Sequence, residues 1–102
     1  MTEREYIQGL KDFYAENVKL SERKMQDYTG GKDPFANFRA SEVVKIPLER
    51  AILVRIMDKV VRVSNLLENP PKVKNEGILD SLSDIANYCA ILAVYISKGR
   101  KE

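Results

Sequence analysis

A chain of 102 residues with 17 basic and 15 acidic side chains has a formal charge of +2, no histidine, no tryptophan and one cysteine. The missing histidine excludes a Ser/His/Asp triad, a Cys/His dyad, His-ligated zinc or haem and an imidazole base, and a lone cysteine makes neither an internal disulfide nor a thiolate cluster. An apolar fraction of 44% beside 31% charged residues fits one soluble globular domain over 1–102, whose chemistry falls to carboxylates, Lys/Arg, hydroxyls, amides or an oxygen-ligated metal.

Glycine and proline clusters divide the chain into three long periodic segments, and the expected fold class is all-α: three long helices plus a short helix or ordered loop. The first helix is expected over about 3–28. Thr2 and Glu5 are spaced as a capping box, and Ile7, Leu10, Phe13, Tyr14 and Val18 recur at helical intervals. Thr29-Gly30-Gly31 stops it. In the connection that follows, Phe35 and Phe38 are expected to pin a loop or short helix onto the core. The second helix is expected from Pro47, a residue suited to the first helical position, to about Leu67, where Asn69-Pro70-Pro71 ends it. The third runs from Asn75, a good N-cap, to Lys98, with Gly99 after it.

The opening residues are too polar for a signal peptide, and no uninterrupted apolar run reaches the roughly 20 residues that span a bilayer. The chain is therefore read as complete from Met1, cytoplasmic and without a membrane partner, and Cys89 as a buried thiol. A charge of +2 gives no reason to expect direct nucleic-acid binding. On the third helix, Ile78, Leu79, Leu82, Ile85, Ala86, Cys89, Leu92, Ala93 and Ile96 make one broad apolar face. Tyr88, Ile91, Val94 and Tyr95 carry that character round the other side. A helix apolar all round must be covered all round. Three helices supply little cover, so a homo-oligomer is expected, a dimer or a tetramer.

Two charged stripes remain. Glu76, Asp80, Ser83, Asp84 and Asn87 share one side of the third helix, which has three acids and no base from Asn75 to Ser97. Acids at i, i+4 and i+8 repel unless a cation sits nearby. The second helix offers Arg55, Lys59 and Arg62, with Asp58 in the same stripe. One account is a pair of solvated faces or an inter-helix salt-bridge ladder. The other is a metal site, because oxygen-only ligands favour a hard ion such as Mg²⁺ shared with substrate phosphates, which Arg and Lys then bind. A site of this kind requires the stripes to face each other. In the loop 27–38, Tyr28, Phe35 or Phe38 could stack on a base and Asn37 hydrogen-bond its edge, although no Walker A spacing is present.

The succession M-Q-D-Y-T-G-G-K-D-P-F-A-N-F, R-I-M-D-K-V-V-R-V-S-N-L-L and N-E-G-I-L-D-S-L-S-D-I-A-N-Y-C resembles the nucleotide modification associated domain family, small all-α proteins of phages and bacteria. The likeness covers about 22–96. It implies a place in nucleotide metabolism or DNA-base modification. The matching positions are Asp27, Tyr28, Asp33, Asn37, Phe38, Arg55, Asp58, Lys59, Arg62, Glu76, Asp80, Asp84, Asn87 and Tyr88. A looser similarity is to all-α nucleoside triphosphate pyrophosphohydrolases of the MazG and dimeric dUTPase type. Those hold Mg²⁺ with E-x-x-E and E-x-x-D motifs, whereas Asp80 and Asp84 here are four apart.

The leading expectation is thus a nucleotide-handling protein. Asp58, Glu76, Asp80 and Asp84 would hold Mg²⁺. Arg55, Lys59 and Arg62 would bind phosphates, and Tyr28, Asn37, Phe38 and Asn87 would contact the rest of a (deoxy)nucleotide. As an enzyme it would be a Mg-dependent pyrophosphohydrolase. The alternative is a non-catalytic helical assembly protein whose charged stripes are salt bridges at an interface.

Overall fold

The computed structural model describes residues 1–29, 33–69 and 77–100, and among these all regular structure is helical. The elements are α1 (Glu3–Thr29), α2 (Ala36–Arg39), a 3₁₀ turn (Ala40–Val44), α3 (Leu48–Glu68), α4 (Ile78–Val94) and a π-helical turn (Tyr95–Gly99). Contacts divide the chain into two units, Met1–Pro34 and Phe35–Glu102, and each is described by itself.

The first unit is α1. The Thr2 half of the expected capping box is present: the Glu5 N–H donates to Thr2 Oγ1 at 3.1 Å, and the Tyr6 N–H makes the first helical bond to the Thr2 carbonyl at 3.0 Å. Glu3 and Glu5 in the first turn meet the positive end of the helix dipole. Along the helix, Gln8 Nε2 donates to Asp12 at 2.8 Å, and Lys19 lies 3.7 Å from Glu16.

The second unit is built round α3 and α4, which pack on each other. Their register is antiparallel. Glu49, at the start of α3, lies 3.8 Å from Arg100 just beyond the π turn, and Lys59 further along meets Asp84. The core is small and sits toward the start of α3. Phe35, Leu48 and Ile52 are its buried apolar residues, and Phe38, Ile56, Tyr88, Ile91, Leu92 and Tyr95 pack against them. Phe35 meets Tyr95 edge to face at 5.1 Å between ring centroids, and Phe38 meets Tyr88 in the same way at 6.1 Å. The two phenylalanines thus anchor the connection, as their place in the sequence leads one to expect. The last turn approaches Phe35 so closely that a Cβ on Gly99 would lie 2.9 Å from the ring, which only glycine avoids.

The run from α2 into α3 is closed by backbone bonds. Lys45 adopts the left-handed region (φ 62°), which lets its N–H reach the Glu42 carbonyl at 2.9 Å and the Ile46 N–H reach that of Ser41 at 3.0 Å. The Ser41 hydroxyl lies 3.0 Å from the Phe38 carbonyl and 2.9 Å from the Ile46 carbonyl, donating to one at a time. Pro47 is the N-cap of α3 rather than its first helical residue. Its fixed φ of −58° and extended ψ of 146° turn the chain, and its carbonyl accepts the first helical bonds from Arg50 and Ala51.

Helix α4 departs from expectation in three ways. It begins at Ile78 on Gly77, Asn75 lying outside the described residues, and its final turn widens from α to π at Tyr95. Cys89 is exposed, not buried. The broad apolar face is also only partly turned inward, Leu92 packing on the core and Ile78, Ile85 and Ala86 being half-buried. Ser81 is buried as well, with Tyr88, Ile91 and Tyr95 packed on the core, while Leu79, Leu82 and Ile96 remain exposed. The physical reason is size. Ser81 is small enough to be buried in the packed interior, and Tyr95 and Tyr88 pack edge to face on Phe35 and Phe38. By length and composition alone Ile78–Gly99 could cross a membrane, although the sequence showed no uninterrupted apolar run of that length.

Candidate functional site

The two charged stripes predicted from sequence lie on helices that pack together, and they meet. Lys59 Nζ is 3.0 Å from Asp84 Oδ2, and both side chains are partly shielded, 32% and 24% exposed. The sequence places them there because Lys59 follows Ile52 and Ile56 round the face of α3 that seeks α4. Asp84 lies one turn beyond Ser81 and one before Tyr88 on the facing side of α4. Asn87 and Arg62 are half-buried near this level of their helices. Arg55, Asp58 and Asp80 are exposed at the rim of the same stripes.

The remaining candidates are dispersed. Asn37 is exposed on α2, and Phe38 is half-buried with its ring engaged by Tyr88. Tyr28 belongs to the first unit, and its side chain, like the whole of Glu76, lies outside the described residues. No group of three or more His, Cys, Asp or Glu able to hold a metal occurs among the described residues. Asp80 and Asp84, one turn apart, are a two-carboxylate set, which suits Mg²⁺ where phosphates and water supply the other ligands. One ammonium already neutralises Asp84.

Sequence reasoning missed Ser81 and the Glu49–Arg100 pair. Ser81 had no distinguishing signal, because α4 also holds the small residues Ser83, Ala86, Ala90 and Ala93. Glu49 and Arg100 had none, being far apart in sequence and joined only by the hairpin's register. Comparison with protein-family models, with curated proteins and with solved structures gave no match. The geometry of the α3–α4 seam therefore carries the functional argument.

Proposed function

We propose that this chain handles (deoxy)nucleotides, binding phosphates at the α3–α4 seam, and works as a homo-oligomer. The observation that carries the reading is the convergence of the basic stripe of α3 with the acidic stripe of α4 at Lys59 and Asp84, 3.0 Å apart. A triphosphate entering the seam exchanges partners with that pair. Its oxygens take the Lys59 ammonium, with Arg55 and Arg62 alongside, and the released Asp84 carboxylate and Asp80 would be the residues to hold Mg²⁺. Asp58 and Glu76 are the further carboxylates of this reading, and Asn37, Phe38 and Asn87 its contacts to base and sugar. The resemblance to pyrophosphohydrolases suggests the reaction: water attacks the α-phosphorus, the α–β phosphoanhydride bond breaks, and a nucleoside monophosphate, pyrophosphate and a proton are released; Mg²⁺, if bound, would supply neutralisation of the leaving group's charge.

The test is isothermal titration with the four dNTPs, with and without Mg²⁺. Binding strengthened by Mg²⁺ and weakened at least about tenfold by Lys59→Met is expected, since a charge-assisted hydrogen bond to phosphate contributes on the order of 1.5–3 kcal/mol. Absence of binding by the wild-type chain sinks the reading. Equal binding by Asp80→Ala/Asp84→Ala removes the metal site from it.

A second reading is favoured by the closed Lys59–Asp84 pair and by the apolar residues that α4 turns outward. In it the protein is a non-catalytic helical assembly element and the seam is a structural salt bridge. It requires that no nucleotide bind, so the same titration separates the two.

A further inference from the structure

We propose that the π turn after α4, Tyr95–Gly99 with Arg100, is a salt-sensitive clasp: it closes over Phe35 and opens, as a unit smaller than the hairpin, when the Glu49–Arg100 pair is broken. This does not depend on nucleotide binding or on oligomeric state. The starting point is the winding itself. The Arg100 N–H donates to the Tyr95 carbonyl at 2.8 Å, five residues back rather than four. A π turn is rare, so contacts made only in that winding must hold it.

Two such contacts are present. Gly99 lies so near the core that a Cβ there would stand 2.9 Å and 3.3 Å from two atoms of the Phe35 ring and 3.2 Å from the Tyr95 ring. Phe35 has little room to turn away, since it is buried with Leu48 and Ile52 and meets Tyr95 edge to face. Beyond Gly99, the Arg100 guanidinium lies 3.8 Å from the carboxylate of Glu49 in the first turn of α3. In an α-helix, residues five apart stand about 140° apart round the axis, which would carry Arg100 away from the side of Tyr95. The wider turn brings it back to that side, where Glu49 is. Ser97 weakens the α alternative, because its hydroxyl donates to the Ala93 carbonyl at 2.8 Å and a serine bonding back in this way loosens an α-helix locally.

The ion pair makes closure respond to salt. Its side chains are 40% and 32% exposed, so dissolved ions screen the pair, whereas the contact of Gly99 with Phe35 is apolar and is not screened. Opening bares Phe35 and leaves the Lys59–Asp84 pair, further along the hairpin, in place.

Nuclear magnetic resonance of the full chain tests this. In wild type, Overhauser contacts between the Gly99 Hα protons and the Phe35 ring are expected, together with an Arg100 amide that exchanges with solvent faster than those of Ile52 and Ile56. Gly99→Ala discriminates most sharply. Alanine is the better helix former, so at an ordinary helix end it slows exchange of the last amides. Here its Cβ meets Phe35, and the Arg100 amide is expected to exchange at least about tenfold faster than in wild type, with Ile52 and Ile56 unchanged. Glu49→Gln and Arg100→Gln each remove the pair and keep the apolar contact, so their effect should be no more than about fivefold. Raising sodium chloride should speed exchange of the Arg100 amide in wild type and not in Glu49→Gln. Unchanged or slower exchange in Gly99→Ala, or no Overhauser contact in wild type, overturns closure over Phe35. A salt response that Glu49→Gln retains overturns the ionic catch. A wild-type Arg100 amide that exchanges only together with Ile52 and Ile56 overturns the clasp as a separate element.

Discussion

The two sides of α4 differ in the opposite sense to a simple amphipathic helix. The side against α3 mixes Ser81 and Asp84 with Tyr88, Ile91, Leu92 and Tyr95, whereas Leu79, Leu82, Cys89, Ala93 and Ile96 form an exposed stripe without a charge. If apolar area alone chose the intrachain partner, the outward side would have been buried. What decides instead is fit. Ser81 is small enough to be buried, Lys59 reaches Asp84, and the tyrosines close over Phe35 and Phe38. The comparison teaches that fit, and not hydropathy, chooses the side of α4 that packs on α3.

The inner side can be broken at its centre. Ile52, 0% exposed, fills the core between Phe35 and α4, and Ile52→Ala should cost about 2–5 kcal/mol of unfolding free energy through lost burial and the cavity left behind. Chemical denaturation will show this as a lower midpoint with an unchanged slope. A smaller loss is expected from the reverse change. Ser81→Leu inserts a large side chain at a fully buried position of α4, and overpacking of this kind costs about 1–3 kcal/mol. Retention of wild-type stability by Ser81→Leu would mean that size at this position does not orient α4.

These contrasts also explain what could be read in the sequence. The helices were legible because each is bounded by residues with one strong local meaning: Thr2 and Glu5, Pro47, and the Gly-Gly and Pro-Pro clusters. The anchoring of Phe35 and Phe38 was legible because two aromatic rings in a loop have few other uses. Which side of α4 turns inward was not, since hydropathy ranks the sides in the wrong order and only the three-dimensional fit of Ser81 and the tyrosines reverses it. Cys89 was misread for the same reason. At the candidate site, the stripes on α3 and α4 were legible from spacing, and the partner chosen by Asp84 followed from the register of the hairpin. No periodicity joins Asn37 or Tyr28 to those stripes, because each lies on a separate element.

A double-mutant cycle on Lys59→Met and Asp84→Asn measures how much of the inner side's specificity is ionic. With both groups partly exposed, a coupling energy of about 0.2–1 kcal/mol is expected, falling as salt rises. Titration of dNTP with Mg²⁺ should remove the coupling if the pair opens to admit phosphate, and should leave it unchanged if the pair is structural.

The smallest intrachain effect is expected on the outer side, at Leu79. Its side chain is 77% exposed, so Leu79→Gln removes little that the folded monomer uses. Glutamine and leucine have similar helix propensities, and the unfolding free energy of dilute, dissociated protein should move by no more than about 0.5 kcal/mol. At high concentration the outcome should differ. If the proposed homo-oligomer covers this side of α4, wild type gains stability by mass action, its melting temperature rises with protein concentration, and Leu79→Gln should flatten that rise. Equal slopes for the two proteins would show that Leu79 contributes to no partner. A steep wild-type slope lost in the variant would divide the stability of α4 between α3, which holds its inner side at any dilution, and a second chain, which holds its outer side only when present.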